Sequence, residues 1–78
     1  MNQKELTNFA EKLLGWYVEG CEISREIDEK QDYYEIVVKD SNGIKTYQEF
    51  NYYLGNKLWN IYLKKLGEYH YEKFPIDN

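Results

Sequence analysis

Seven carboxylates fall between Glu19 and Glu35: Glu19, Glu22, Glu26, Asp28, Glu29, Asp32 and Glu35. Arg25 and Lys30 are the only bases among them, so these 17 residues carry a net charge of −5. The rest of the chain holds seven acids and eight bases, a net of +1. The chemistry of such a run is electrostatic: it attracts basic surfaces and repels nucleic acid. If Glu22, Glu26 and Asp28 share one face of a strand, their spacing is a multiple of about 6.7 Å. Two base steps along a DNA strand rise about 6.8 Å. Glu29, Asp32 and Glu35 extend the row around the next turn. Such a row imitates a phosphate backbone and suits a basic groove. The same residues also suit the ordinary solvated face of a half-buried sheet, where outward side chains must be polar.

Other reactive groups are sparse. His70 is the only histidine and Cys21 the only cysteine. One of each, without a supporting motif, makes neither a Cys–His pair nor a Ser–His–Asp triad. His70 reads as a surface or packed residue, and Cys21 as a buried, inert thiol on the inward side of the first strand. No two carboxylates show general acid/base or EF-hand spacing. The expectation is a non-enzymatic protein with no metal and no cofactor.

Elements must position the acidic run, and the apolar pattern supplies them. Leu6, Phe9, Ala10, Leu13, Leu14 and Tyr17 recur at helical spacing. Asn2 and Glu5 make a capping-box pattern, Gly15 reads as a stop, and a helix is expected over about residues 3–14. Trp16 to Asp28 then alternates as a strand with one shift of parity at Glu19-Gly20, which reads as a bulge. Beyond it Cys21, Ile23, Arg25 and Ile27 point inward, and Glu22, Ser24, Glu26 and Asp28 point outward. Tyr33 to Asp40 is a second strand, with Tyr34, Ile36 and Val38 on one face. Asn42-Gly43 signals a two-residue hairpin turn with positive φ at both positions. That turn sets Asp40 opposite Lys45 and Val38 opposite Tyr47, with a short third strand over about 44–47.

Thr46-Tyr47-Gln48-Glu49 reads as a second capping box. Phe50, Leu54, Leu58, Ile61, Tyr62 and Leu66 follow at helical spacing, with Lys64, Lys65 and Gly67 as the end. Gly55-Asn56 marks a break or kink. Tyr69 to Pro75 alternates weakly, as a fourth strand or an extended arm. The apolar arc of the second helix covers about 220°, while covering a sheet takes about 100°. Tyr52, Trp59 and Leu63 supply the surplus. Packing on the first helix and the tail is one outcome. The other is a contact patch around Tyr52 and Trp59, for a partner protein or for a second copy in a homodimer. The same aromatics with Lys57, Lys64 and Lys65 resemble a single-strand stacking platform, but the acidity of the chain opposes direct nucleic-acid binding.

The fold expected is α+β: two layers, a three-stranded antiparallel sheet, an N-terminal helix and a long or broken C-terminal helix, in the order α-β-β-β-α. Seventy-eight residues make one domain, 1–78, with a small core. A lone cysteine and the lack of a basic start followed by an apolar run point to a reducing cytoplasm. No apolar stretch approaches about 18 residues, so no membrane is expected. Met1 is the only methionine, which reads as a complete short gene product. One Arg, one Ala and one Pro beside abundant Lys, Asn, Ile and Tyr is the bias of AT-rich coding sequence. It reads as a low-GC bacterium or its phage.

Helix, acidic strand, Asn42-Gly43 hairpin and helix, across nearly the whole chain, resemble the plan of small phage-encoded anti-CRISPR proteins. The likeness is one of architecture and charge, and it carries over no functional residue. It implies an inhibitor acting in the bacterial host cytoplasm on a host protein with a basic, nucleic-acid-binding groove, such as a CRISPR nuclease. Small immunity proteins and antitoxins use the same physics. A self-associating structural or regulatory module, using the aromatic helix face, is the reading from a different class.

Overall fold

The computed structural model describes residues 1–73. Its elements are α1 (Gln3–Val18), β1 (Glu22–Asp28), a 3₁₀ turn (Glu29–Gln31), β2 (Tyr33–Lys39), β3 (Lys45–Phe50) and α2 (Tyr52–Lys73). The strands form an antiparallel meander in the order β1-β2-β3. The α-β-β-β-α plan is as expected, but several boundaries differ, each for a physical reason.

Helix α1 begins as read. The Glu5 N–H donates to Asn2 Oδ1 at 2.9 Å, and the Asn2 N–H donates to Glu5 Oε1 at 3.2 Å. Gly15 does not stop the helix, which runs on to Val18. A mid-helix glycine costs about 1 kcal/mol, whereas burying a large apolar side chain contributes about 2–3 kcal/mol. Continuing the helix packs Trp16 against the core and edge-on to Phe9, with ring centres 6.5 Å apart. Trp16 and Val18 are therefore helical, and the expected bulge at Glu19-Gly20 does not exist. Gly20 instead takes φ 99° and terminates α1. Its N–H donates to the Tyr17 carbonyl at 3.0 Å and the Cys21 N–H to the Trp16 carbonyl at 2.9 Å. These two bonds make a Schellman turn, for which glycine is the favoured residue. Cys21 lies in this connection, half-buried, rather than on a strand.

The β2–β3 connection is longer than a two-residue turn. The Asp40 N–H donates to the Ile44 carbonyl and the Gly43 N–H to the Asp40 carbonyl, both at 3.0 Å. Gly43 has φ 84° and Asn42 keeps negative φ, so this is a type I turn followed by a left-handed glycine. Asp40 Oδ1 holds the loop by accepting from the N–H groups of Asn42 and Ile44, at 2.9 and 3.0 Å. The register moves by one residue as a result. Val38 faces Thr46, Val37 faces Tyr47 and Lys39 faces Lys45. A one-residue slip exchanges the faces of a strand, so Lys45, Tyr47 and Glu49 lie on the side away from the helices.

The residues Thr46 to Glu49 belong to β3, not to a helix cap. The cap of α2 is Asn51, whose Oδ1 accepts from the Leu54 N–H at 2.8 Å. Asp32 adds a second cap from the β1–β2 connection, accepting from the Tyr52 N–H at 2.9 Å. Helix α2 is unbroken at Gly55-Asn56 and passes through Gly67 to Lys73. At Gly55 the helix lies so close to β2 that a Cβ would overlap the Tyr34 ring. The expected arm over Tyr69 to Pro75 is helical as far as Lys73; Phe74 and Pro75 lie outside the described residues.

The core joins Leu6, Ala10 and Leu13 of α1 to Tyr34 and Ile36 of β2 and to Leu58, Trp59 and Tyr62 of α2. These positions repeat at helical spacing on the helices and at every second residue on β2. Both helices thus cover one face of the sheet. No helix among the described residues is long and apolar enough to cross a membrane.

Candidate protein-binding face

The uncovered side of the sheet is built by the remaining strand residues. β1 contributes Glu22, Ser24, Glu26 and Asp28, β2 contributes Tyr33, Glu35, Val37 and Lys39, and β3 contributes Lys45, Tyr47 and Glu49. The pairing stacks them into rows that cross the strands. Glu22, Lys39 and Lys45 form one row, and Ser24, Val37 and Tyr47 form the next. These two rows and Glu26 line a shallow concavity. The third row is Glu26, Glu35 and Glu49, one carboxylate from each strand. Adjacent strands lie about 4.8 Å apart, so these three backbone positions span about 10 Å.

The acidic run therefore divides. Glu22 and Glu26 share the outward face of β1, as expected. Glu22 has Lys39 and Lys45 in its row, which makes that end of the face net positive. Glu26 has only acids in its row. The negative line runs across the sheet at this end rather than along β1. Asp28 and Asp32 work inside the fold. Asp28 Oδ1 accepts from the Gln31 N–H at 3.4 Å in the 3₁₀ turn, and Asp32 caps α2 from a left-handed backbone with φ 53°. Glu29 is exposed in the same turn.

Glu35 is the buried member, only 8% exposed. The Tyr33 hydroxyl donates to Glu35 Oε2, so the carboxylate is held by a neighbour on its own strand. The effect on Tyr33 is large. Its phenol is pushed up to about 12, first by that hydrogen bond, then by desolvation and by the charges of Glu35, Glu49 and Glu26. No cation lies within ion-pairing distance of the row: the ion pair among the described residues is Lys65 with Glu11, at 3.3 Å between the helices. Like charges placed directly opposite one another oppose sheet formation. No group of three or more His, Cys, Asp or Glu among the described residues is placed to hold a metal.

The aromatic candidates turn inward. Trp59 is 9% exposed, beneath the Arg25 guanidinium, which lies 5.0 Å from its ring centre. Arg25 Nη1 also donates to the Tyr34 hydroxyl at 2.7 Å. Tyr52 is half-buried, edge-on to Tyr34 at 6.1 Å. Trp59 is part of the core, and Tyr52 packs against that core from its edge. His70 is half-buried, with Nε2 2.9 Å from the Tyr17 hydroxyl across α1 and α2.

Reasoning from sequence missed Glu49, Tyr33 and the Lys39–Lys45 pair as parts of this face. The signal for Glu49 was a three-residue reading of Ser41-Asn42-Gly43, which puts odd-numbered β3 residues beside Glu35. The chain matches no family model, no curated protein and no solved structure.

Proposed function

We propose that this chain is a non-enzymatic protein-binding inhibitor that docks the open sheet face onto a basic surface of a host protein. The observation that carries the reading is the row Glu26–Glu35–Glu49. Three carboxylates stand side by side on the uncovered face, against the preference of the sheet and without a compensating cation. A basic groove supplies the missing charge. Such complementarity raises the association rate and selects the partner, and it weakens with salt. The α-β-β-β-α plan and the acidity support a phage-encoded inhibitor of the anti-CRISPR kind, with a nucleic-acid-binding groove as target and the host cytoplasm as its place of action.

The test is affinity capture from bacterial lysate, with tagged wild type beside the variant Glu26→Lys/Glu49→Lys. Both substituted side chains are exposed, so the variant keeps its fold. The expected result is a basic protein bound by the wild type, released by moderate salt and absent from the variant. Equal capture by both proteins overturns the reading.

A further inference from the structure

Both edges of this sheet are open strands, and they differ in what they offer to a copy of themselves. The Asp40 N–H to Ile44 carbonyl bond sets the alternation of the β2–β3 ladder. Counting from it, Thr46, Gln48 and Phe50 turn their backbone groups toward β2. Lys45, Tyr47 and Glu49 turn their N–H and C=O groups outward, away from the sheet. All five residues from Lys45 to Glu49 are exposed, Tyr47 at 55%. An edge of this kind is a template for another strand.

The sequence Lys45-Thr46-Tyr47-Gln48-Glu49 is complementary to its own reverse. Placed antiparallel about a two-fold axis at Tyr47, it sets Lys45 opposite the Glu49 of a second copy, and Glu49 opposite its Lys45. Thr46 meets Gln48 on the helix side, and Tyr47 meets Tyr47 on the open side. The outward backbone groups of Lys45, Tyr47 and Glu49 then form about six inter-chain bonds. The β1 edge does the opposite. Turned on itself about Arg25, it sets Glu22 against Asp28, and Arg25 against Arg25. Like charges directly opposite are unfavourable.

We infer that two copies of this chain pair through antiparallel β3 edges, joining their sheets into one of six strands. The pairing gives Glu49 the cation that its own chain withholds, the Lys45 of the other copy. The acidic row of one protomer then continues into the Glu22–Lys39–Lys45 row of the other. The inference rests on strand geometry and charge order, and it holds whether or not a host protein binds the open face.

Sedimentation equilibrium, from micromolar to millimolar chain, tests it. The wild type is expected to pass from monomer to dimer. Lys45→Glu sets acid against acid at two places and should raise the dissociation constant about tenfold or more. Glu49→Lys should do the same, and the exchange Lys45→Glu/Glu49→Lys should restore wild-type affinity. Tyr47→Pro removes a central outward N–H while leaving the β2–β3 ladder bonds, and should abolish the dimer. A far-UV spectrum checks that each variant is folded, and the charge exchange carries the test if the proline variant is not. A wild type that stays monomeric at millimolar concentration overturns the inference. So does a dimer that survives these changes but is broken by Tyr53→Glu, on the outer face of α2.

Discussion

On the covered face of the sheet Tyr34, Ile36 and Val38 meet the apolar stripes of two helices, and Arg25 caps the ring of Trp59. On the open face Glu26, Glu35 and Glu49 stand in line with no cation in their row. The two faces belong to the same strands and alternate residue by residue. Folding accounts for the covered face, whose side chains close the core with both helices. It does not account for the open face, where the charge order opposes the pairing that creates it. Departures of that kind concentrate where a surface has a task besides folding.

The largest effect that separates the faces lies in the core. Leu58 is fully buried between helix and sheet. Leu58→Ala should cost about 2–5 kcal/mol in urea unfolding, enough to unfold much of a chain this small. On the open face the sign should reverse. Glu26→Gln and Glu49→Gln each remove a like-charge contact, and each should stabilise by about 0.2–1 kcal/mol in the same assay. That gain should shrink as salt is added. A loss of stability in both variants would mean that the open face is built for folding after all.

The subtlest effect is a titration. Tyr33 holds its proton to about 12, against an ordinary value of 10.0. Between these values the unfolded chain has released the proton and the folded chain keeps it. Stability contributed by this group is therefore complete below pH 10 and falls as pH rises toward 12. Tyrosinate absorbance should show one phenol titrating late. Glu35→Gln, which removes the acceptor charge, should return it toward the ordinary range.

The plan of the fold was legible because its signals are periodic. Leu6, Ala10 and Leu13, or Tyr34, Ile36 and Val38, announce their element by spacing alone. What was not legible depended on partners far along the chain. Gly15 and Gly20 are both plausible helix ends, and the packing of Trp16 decides between them. Thr46 to Glu49 reads as a cap in isolation, and pairing with β2 makes it a strand. Gly55 looks like a breaker, and the approach of Tyr34 explains it. For the site, Glu22 and Glu26 followed from alternation along β1. Glu49 did not, because its place depends on one residue of loop length. Trp59 failed as a surface candidate because Arg25, an inward charge on an edge strand, lies over it.

The alternation of the strands also has a meaning for descent. One set of residues, the even positions of β2 and β3 with the odd positions of β1, answers to the helices. The other answers to whatever meets the open face. The two sets share a backbone and point to opposite sides of it, so one can be rewritten while the other is left intact. A protein built this way can change its open face in small steps and remain folded at each of them.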